Sequence, residues 1–183
     1  MATAETRQLT IGDWKALPEG PPYFEFEEGE LILMSSPKPR HQDVVRELGS
    51  ELYRHVRRKQ SGRVFTEVDV FLPDGRGYIP DLSYLSVVNL HLLDPVDEKI
   101  HGAPDMIGEV LSSDPARDRE HKFQVYHANG VTWYWLIDPE TLTIEEYQAA
   151  PQGYQLVTSA PGGAEFRSKA FPGFVVNLAA LLS

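Results

Sequence analysis

Polar and apolar residues alternate near the start of the chain in a way that predicts a β-hairpin. In residues 23–27, YFEFE, phenylalanines alternate with glutamates, which is the period-two pattern of a strand. Glu28-Gly29 suits a two-residue turn, and residues 30–34, ELILM, follow as the partner strand. Before the hairpin, Thr10 and Asp13 have the spacing of a capping box, so they predict a short helix.

The next apolar pattern has helical periodicity. Between about Gln42 and Gln60, apolar residues recur every three or four positions, and Gly62 is the predicted stop. VFTEVDVFL then alternates as a strand, and IPDLSYLSV predicts another strand after the turn DGRGY. The helix would bury one face through Val44, Val45, Leu48, Leu52 and Val56.

A strand–helix–strand unit follows. DMIGEVLS is short and mostly apolar, which predicts a buried strand. Asp114-Pro115 supplies the N-cap and first-turn residues of a helix that runs to about Asn129 and ends at Gly130. VTWYWLID is rich in aromatic and β-branched residues, so it predicts a central strand. A helical crossover between two strands makes them parallel.

The order of the predicted elements indicates an α/β protein with a mixed β-sheet core flanked by at least two helices. The length of 183 residues fits a single domain. Within it we expect an N-terminal helical extension over residues 1–22 and a core over 23–147. Weaker strand patterns and NLAALL predict C-terminal strands and a short helix over 148–183.

Composition excludes several classes of protein. Cysteine is absent, which rules out disulfides, cysteine-ligated metal sites and a cysteine nucleophile. The sequence contains no P-loop, G-x-S-x-G or G-x-G-x-x-G motif. The first residues do not have the pattern of a signal peptide, and no apolar run approaches the ~20 residues of a membrane span. We therefore expect a cytoplasmic protein that does not contact a membrane.

The charge is unevenly distributed. The formal net charge of -10 argues against a nucleic-acid partner on average. Residues 36–63, however, contain eight basic and three acidic residues, a local charge of +5 that leaves -15 for the rest. Arg54, Arg57 and Arg58 either complement the dipole of the predicted helix or contact nucleic-acid phosphates. Any contact with a nucleic-acid partner is thus expected only on the face that carries the basic residues of 36–63.

Glu109 is the first candidate for chemistry, because it lies inside the apolar run Met106–Leu111. A carboxylate buried in a strand is costly unless it is paired, hydrogen-bonded or bound to a metal. The same pattern also fits a glutamate on the solvent face of an alternating strand. Its position near the carboxyl end of the strand, where α/β sheets carry their sites, favours a functional role.

Two further residues extend this hypothesis. Asp81 follows Pro80 at the start of a strand; it is either a turn residue or a second carboxylate beside Glu109, which would suit Mg²⁺ or Mn²⁺. Lys122 lies about two turns into the following helix, and Asp118 and Tyr126 share its face by their four-residue spacing. It is either a solvated lysine paired with Asp118 or, if the helix packs beside Glu109, a group that orients or deprotonates an attacking water.

These segments together resemble a known family. The succession YFEFEEGELILMSSPKPRHQ, IPDLSYLS, DMIGEVLS and RDREHKFQVYHANGVTWYWLIDPE resembles the Uma-two endonuclease family of the restriction-endonuclease-like PD-(D/E)xK superfamily. The resemblance runs from about Tyr23 to Tyr147 and continues more weakly to Leu182. It implies the restriction-endonuclease-like fold and hydrolysis of nucleic-acid phosphodiester bonds, DNA rather than RNA, with Mg²⁺ or Mn²⁺ as cofactor.

The resemblance also implies roles for individual residues. Asp81, Glu109 and Lys122 would be catalytic, with Asp81 and Glu109 as the metal ligands. The usual superfamily lysine would stand two positions after Glu109, where this chain has a leucine, and the Uma-type pattern moves it to Lys122 on the next helix. Glu30 and His41 fall in family-typical stretches and are candidates for a secondary site.

Two functional classes are consistent with the sequence. One is a metal-dependent nuclease, which predicts Mn²⁺ binding through Asp81 and Glu109. The other is a non-catalytic binding or scaffold module on the same fold, because a fold does not fix a function; it predicts no metal binding and a large exposed apolar patch. By analogy with enzymes that cut two strands, a homodimer is expected.

Overall fold

The computed structural model describes residues 8–112 and 115–183. It begins with helix α1 (Ile11–Lys15), in which Thr10 and Asp13 form the predicted capping box. Strands β1 (Phe24–Glu27) and β2 (Glu30–Leu33) form the predicted hairpin.

The hairpin belongs to a five-stranded sheet with the order β2-β1-β5-β4-β7. Its other members are the short strands β4 (Val70–Phe71), β5 (Gly77–Tyr78) and β7 (Ile100–His101). The prediction of one continuous strand over VFTEVDVFL is wrong. The chain bends at Glu67, which has a φ of 51°, and this bend separates β3 (Gly62–Phe65) from β4 and sends them to different sheets.

At the centre of the molecule, β3 is joined by five further strands: β6 (Leu82–Ser86), β8 (Met106–Val110), β9 (Trp133–Asp138), β10 (Thr143–Ala150) and β11 (Gly153–Ala160). They form a six-stranded sheet with the order β11-β10-β9-β8-β6-β3. Strands β8 and β9 are parallel, as predicted, and the other neighbours are antiparallel, so the sheet is mixed. The predicted α/β class with a mixed sheet and flanking helices is confirmed.

Helix α2 (Pro39–Lys59) covers one face of this sheet and buries the five apolar residues that its periodicity predicted. It ends at Gln60, whose left-handed backbone (φ 52°) lets its N–H reach the last carbonyls. The predicted end of the helix near Gln60 is confirmed, but Gln60 itself ends it and not the predicted Gly62, which already begins β3.

The crossover from β8 to β9 covers the other face. It consists of a π-helical segment, Arg117–Lys122, continued by α3 (Phe123–Ala128). The predicted helix is thus present and ends before Gly130, while its predicted N-cap, Asp114, lies outside the described residues. A π-helical turn widens the helix, and such turns are frequent at functional sites.

The C-terminal part packs on the same face as α2. Phe166, Phe171 and Phe174 surround the ring of Trp135, which is fully buried in β9. This part contains β12 (Phe166–Arg167), β13 (Val175–Val176) and α4 (Leu178–Leu181), and a 3₁₀ turn, Val87–Leu92, precedes β7. Within the described ranges, no helix has the length and apolar character that crossing a membrane requires.

Candidate active site

Glu109 is the penultimate residue of β8, which lies between β6 and β9. All five residues of β8 are buried, and Glu109 is only 4% exposed. The interpretation of Glu109 as a solvent-facing glutamate is therefore wrong, because helices cover both faces of the sheet at this strand. The carboxylate lies in the interior and must be stabilised by its neighbours.

Asp81 lies at the same end of the sheet. Leu82 pairs with Gly108, and continuing this antiparallel register places Asp81 across from Glu109. The Val110 backbone N–H donates to Asp81 Oδ2 at 2.7 Å, which fixes the orientation of the carboxylate. The fold thus brings the two predicted carboxylates to neighbouring strand ends.

Lys122 is buried, with 5% exposure, and points into the same region. Its Nζ lies 2.8 Å from Glu25 Oε1, 3.1 Å from Glu109 Oε1 and 3.7 Å from Asp118 Oδ1. The alternative of a solvated lysine is wrong, because the crossover helix packs against the sheet with the face that carries Lys122. The predicted four-residue spacing also brings in Tyr126, whose hydroxyl donates to Glu109 Oε1 at 2.7 Å.

The buried cluster carries more negative than positive charge. Burial raises the pKa of Glu109; Lys122 counteracts this, Asp81 and Asp118 reinforce it, and the resulting pKa is about 8. Burial likewise raises the pKa of Asp118. Groups in this environment favour the arrival of further positive charge, such as a divalent cation.

Lys122 is held as an ammonium. Burial alone would lower its pKa, but Glu109, Glu25 and Asp118 outweigh burial and raise the pKa well above its ordinary value. An ammonium of this kind cannot take a proton from water at neutral pH. In this form Lys122 is suited to orienting an attacking water and stabilising charge, and its role in the reaction stays a prediction.

Two glutamates of β1 were not predicted from the sequence: Glu25 contacts Lys122 and belongs to the cluster, whereas Glu27 lies beside the cluster and contacts Arg117 and His121. The Arg117 Nη2 donates to Glu25 Oε2 at 2.7 Å and to Glu27 Oε1 at 2.5 Å. His121 Nε2 lies 2.9 Å from Glu27 Oε2. The alternation of β1 places both glutamates on one face, but the same pattern describes a solvated face, so it gave no signal for a site.

The two candidates for a secondary site lie in different environments. His41, in the first turn of α2, has its Nε2 3.3 Å from Asp81 Oδ2. Burial lowers the pKa of His41, but the Asp81 carboxylate, together with the Val110 backbone and Glu109, outweighs burial and leaves the pKa raised. Glu30 is exposed at the start of β2, and the contact from this hairpin to Lys122 comes from Glu25 instead.

The predicted basic residues lie far from this cluster. Arg54 pairs with Glu51, and Arg57 donates to the Tyr53 hydroxyl at 3.1 Å. With a rise of about 1.5 Å per residue, these arginines lie roughly 20–25 Å along α2 from the position of His41. Together with Arg58 they border a surface depression of about 540 Å³.

A separate group of possible metal ligands occurs between the 3₁₀ turn and β7. Among the described residues, Asp94, Asp97 and His101 are the one set of three such groups with ligand atoms within 4.8 Å of one another. Asp94 Oδ1 accepts the Val96 N–H at 2.7 Å, and His101 Nε2 lies 2.8 Å from Asp97 Oδ2. These local contacts account for the arrangement of the group.

Comparisons with known proteins agree with this fold. The Uma2 family model, described as "Putative restriction endonuclease", matches residues 12–179. A search of curated proteins gave no match. A solved structure of "a putative nuclease belonging to DUF820" from Anabaena variabilis ATCC 29413 has a TM-score of 0.74 and 22% identity, over 95% of this chain and 97% of that chain. It shares the fold, and the extent of the family match shows that the chain belongs to the Uma2 family.

Proposed function

We propose that the protein is a divalent-metal-dependent nuclease that hydrolyses phosphodiester bonds of nucleic acid, DNA rather than RNA. The observation that carries the proposal is the placement of Asp81 and Glu109 at neighbouring strand ends beside the buried ammonium of Lys122. The membership of a nuclease-like family and the shared fold support the same reaction class.

The donor set fits a hard dication. Mg²⁺ is commonly held by one or two carboxylates and completes its coordination with waters and substrate phosphates, and Mn²⁺ takes the same oxygen ligands. Asp81 and Glu109 would be the protein ligands. Burial and the neighbouring carboxylates raise the pKa of Glu109, and a bound dication would offset the negative charge that contributes to this shift.

When bound, such an ion would neutralise charge on the phosphate and lower the pKa of an attacking water. The residues of the chain supply the remaining functions. Lys122 is a fixed cation that stabilises the charge developing on the phosphate oxygens, and its carboxylate partners hold it in place before the reaction begins. His41 and the Val110 N–H orient the Asp81 carboxylate.

Cleavage assays test the proposal directly. We expect the purified protein to cut duplex DNA with Mn²⁺ or Mg²⁺, to stop on addition of EDTA, and to leave RNA of the same sequence intact. Asp81→Asn removes a ligand charge and should lower the rate about 100-fold, a change of ~3 kcal/mol in the barrier. Asp94→Asn, in the separate acidic group, is the matched control and should cut at the parent rate.

Cleavage by Asp81→Asn at the parent rate, or cutting that persists in EDTA, would refute the assignment. Cutting of both strands would suit a homodimer, which a solution mass measurement tests. The alternative, a non-catalytic binding or scaffold module, is favoured by one observation: Glu109 Oε1 already accepts from both Lys122 and Tyr126. It predicts no Mn²⁺ binding in calorimetry.

We further propose that the exposed arginines near the end of α2 contact the phosphate backbone of the substrate. The double variant Arg57→Gln/Arg58→Gln should weaken DNA binding and reduce the slope of log affinity against log salt by about 2, since each phosphate contact contributes about 0.9. Fluorescence anisotropy without divalent metal at several salt concentrations measures this slope. Lys15→Gln, on α1, is the control, and an unchanged slope in the double variant would contradict the proposal.

A further inference from the structure

We infer that Glu25 is a positioning residue that holds the Lys122 ammonium in its working place, a role that rests on the proposed nuclease function. Among the carboxylate contacts described for Lys122, the one to Glu25 is the shortest, at 2.8 Å. Glu25 comes from the five-stranded sheet, whereas Glu109 comes from the six-stranded sheet. Lys122 therefore joins the two sheets at the candidate site.

Glu25 is a rigid support for this contact. Strand β1 pairs with β2 on one side and with β5 on the other, and Glu25 is only 3% exposed. Its second oxygen, Oε2, accepts from Arg117 Nη2 at 2.7 Å. A carboxylate fixed by its backbone and by a second cation can hold a lysine without loss of side-chain freedom during the reaction.

The need for Glu25 follows from the other partners of Lys122. A Glu109 carboxylate that binds a dication shares its negative charge with that ion, and its attraction for the ammonium falls. Asp118 remains, but at 3.7 Å. Glu25 is thus the close carboxylate that is not itself a proposed metal ligand, and it keeps Lys122 oriented when the site is loaded.

Glu27 provides a matched control. It lies two residues further on the same strand and the same face, and its carboxylate contacts Arg117 and His121. Substitution of Glu25 or Glu27 by glutamine removes one negative charge from Arg117 in either case. Only the change at Glu25 also removes charge from the 2.8 Å contact with Lys122.

The first experiment measures single-turnover cleavage of duplex DNA with Mn²⁺. We expect Glu25→Gln to lower the rate at saturating DNA at least about tenfold, with KM for DNA and the calorimetric Kd for Mn²⁺ changed by less than about twofold. Glu27→Gln should stay within about twofold of the parent rate. A loss of Mn²⁺ affinity in Glu25→Gln would make Glu25 a ligand, and an equal loss of rate in Glu27→Gln would assign the effect to Arg117. Either result overturns the inference.

The second experiment needs no cleavage, and therefore separates a failure of the inference from a failure of the proposed function. Thermal unfolding without metal is compared for Glu25→Gln, Lys122→Met and the double variant. Glu25→Gln should lower the Tm of the parent but raise the Tm of Lys122→Met, where a buried carboxylate has lost its ammonium. An equal decrease in both backgrounds overturns the inference. If Glu25→Gln changes the Tm in opposite directions in the two backgrounds, as expected, but the protein cuts no DNA, only the nuclease function is refuted. If Lys122→Met does not fold, the first experiment decides.

Discussion

Replacement of Glu109 by glutamine is expected to abolish metal-dependent cleavage and, at the same time, to stabilise the metal-free protein at pH 8. As a proposed metal ligand, the carboxylate contributes charge that an amide lacks, so the cleavage rate should fall by about 1000-fold or more, equivalent to ~4 kcal/mol. Glutamine keeps the shape of the side chain and an oxygen that accepts from the Tyr126 hydroxyl. The fold should therefore tolerate the change.

The pH dependence follows from the direction of the pKa shift. Burial, with Asp81 and Asp118 adding to it, raises the pKa of Glu109 from 4.5 to about 8 in the folded protein. A carboxyl whose pKa is raised in the folded protein contributes stability that is complete below its pKa in the unfolded chain. This stability is lost as the pH rises through its pKa in the folded protein. Glutamine does not ionise, so Glu109→Gln should lack this loss between about pH 4.5 and about pH 8.

Urea unfolding in EDTA at pH 5 and at pH 8 measures the difference in free energy of unfolding between parent and variant. We expect a small difference at pH 5 and a clear advantage of the variant at pH 8. Glu145→Gln is the control, since Glu145 pairs with Arg119 near the surface and should leave the pH dependence unchanged. A parallel pH dependence of parent and Glu109→Gln would contradict the proposed electrostatics of the cluster.

The central unit of the fold and its carboxylate were predictable because their signals are local. The apolar run around Glu109 and the aromatic segment of β9 each predict a strand from neighbouring residues alone, and both are strands in the structure. The spacing of Asp118, Lys122 and Tyr126 likewise remains useful, because residues four apart share a helix face. The resemblance to the family favoured the functional interpretation of Asp81, which a Pro-Asp dipeptide alone does not distinguish from a turn residue.

Neither the burial of Glu25 nor the division of the predicted strand VFTEVDVFL into β3 and β4 was predictable from local patterns. Glu25 meets Arg117, 92 positions later in the chain, so its burial depends on how one sheet packs against the crossover of the other. An alternating strand has the same pattern whether its polar face meets water or a buried cation. The bend at Glu67 depends on a left-handed conformation at a residue that is not glycine, which sequence patterns rarely reveal.

Glu146, on the opposite face of the sheet, is another buried carboxylate that an alternating pattern does not distinguish from an exposed one. Glu145 and Glu146 are neighbours in β10, and alternation sends one toward Arg119 and the other into the core. Glu146 is fully buried, and its Oε2 accepts from Trp135 Nε1 at 2.9 Å. Further donors to its carboxylate come from the C-terminal segment: the Ser168 hydroxyl and the backbone N–H groups of Lys169 and Ala170.

Glu146→Leu is therefore expected to destabilise the protein by about 4 kcal/mol or more, because it leaves buried donors without an acceptor, at about 1–3 kcal/mol each. For a chain of this size the Tm should fall by about 10 °C. Glu145→Leu, one residue earlier, removes a pair near the surface and should cost less than about 1 kcal/mol. Thermal and urea unfolding compare the two variants, and equal losses would mean that the buried carboxylate does not hold the C-terminal segment on the sheet. Since the cluster around Lys122 lies on the other face, Glu146→Leu should keep Mn²⁺ affinity wherever it remains folded.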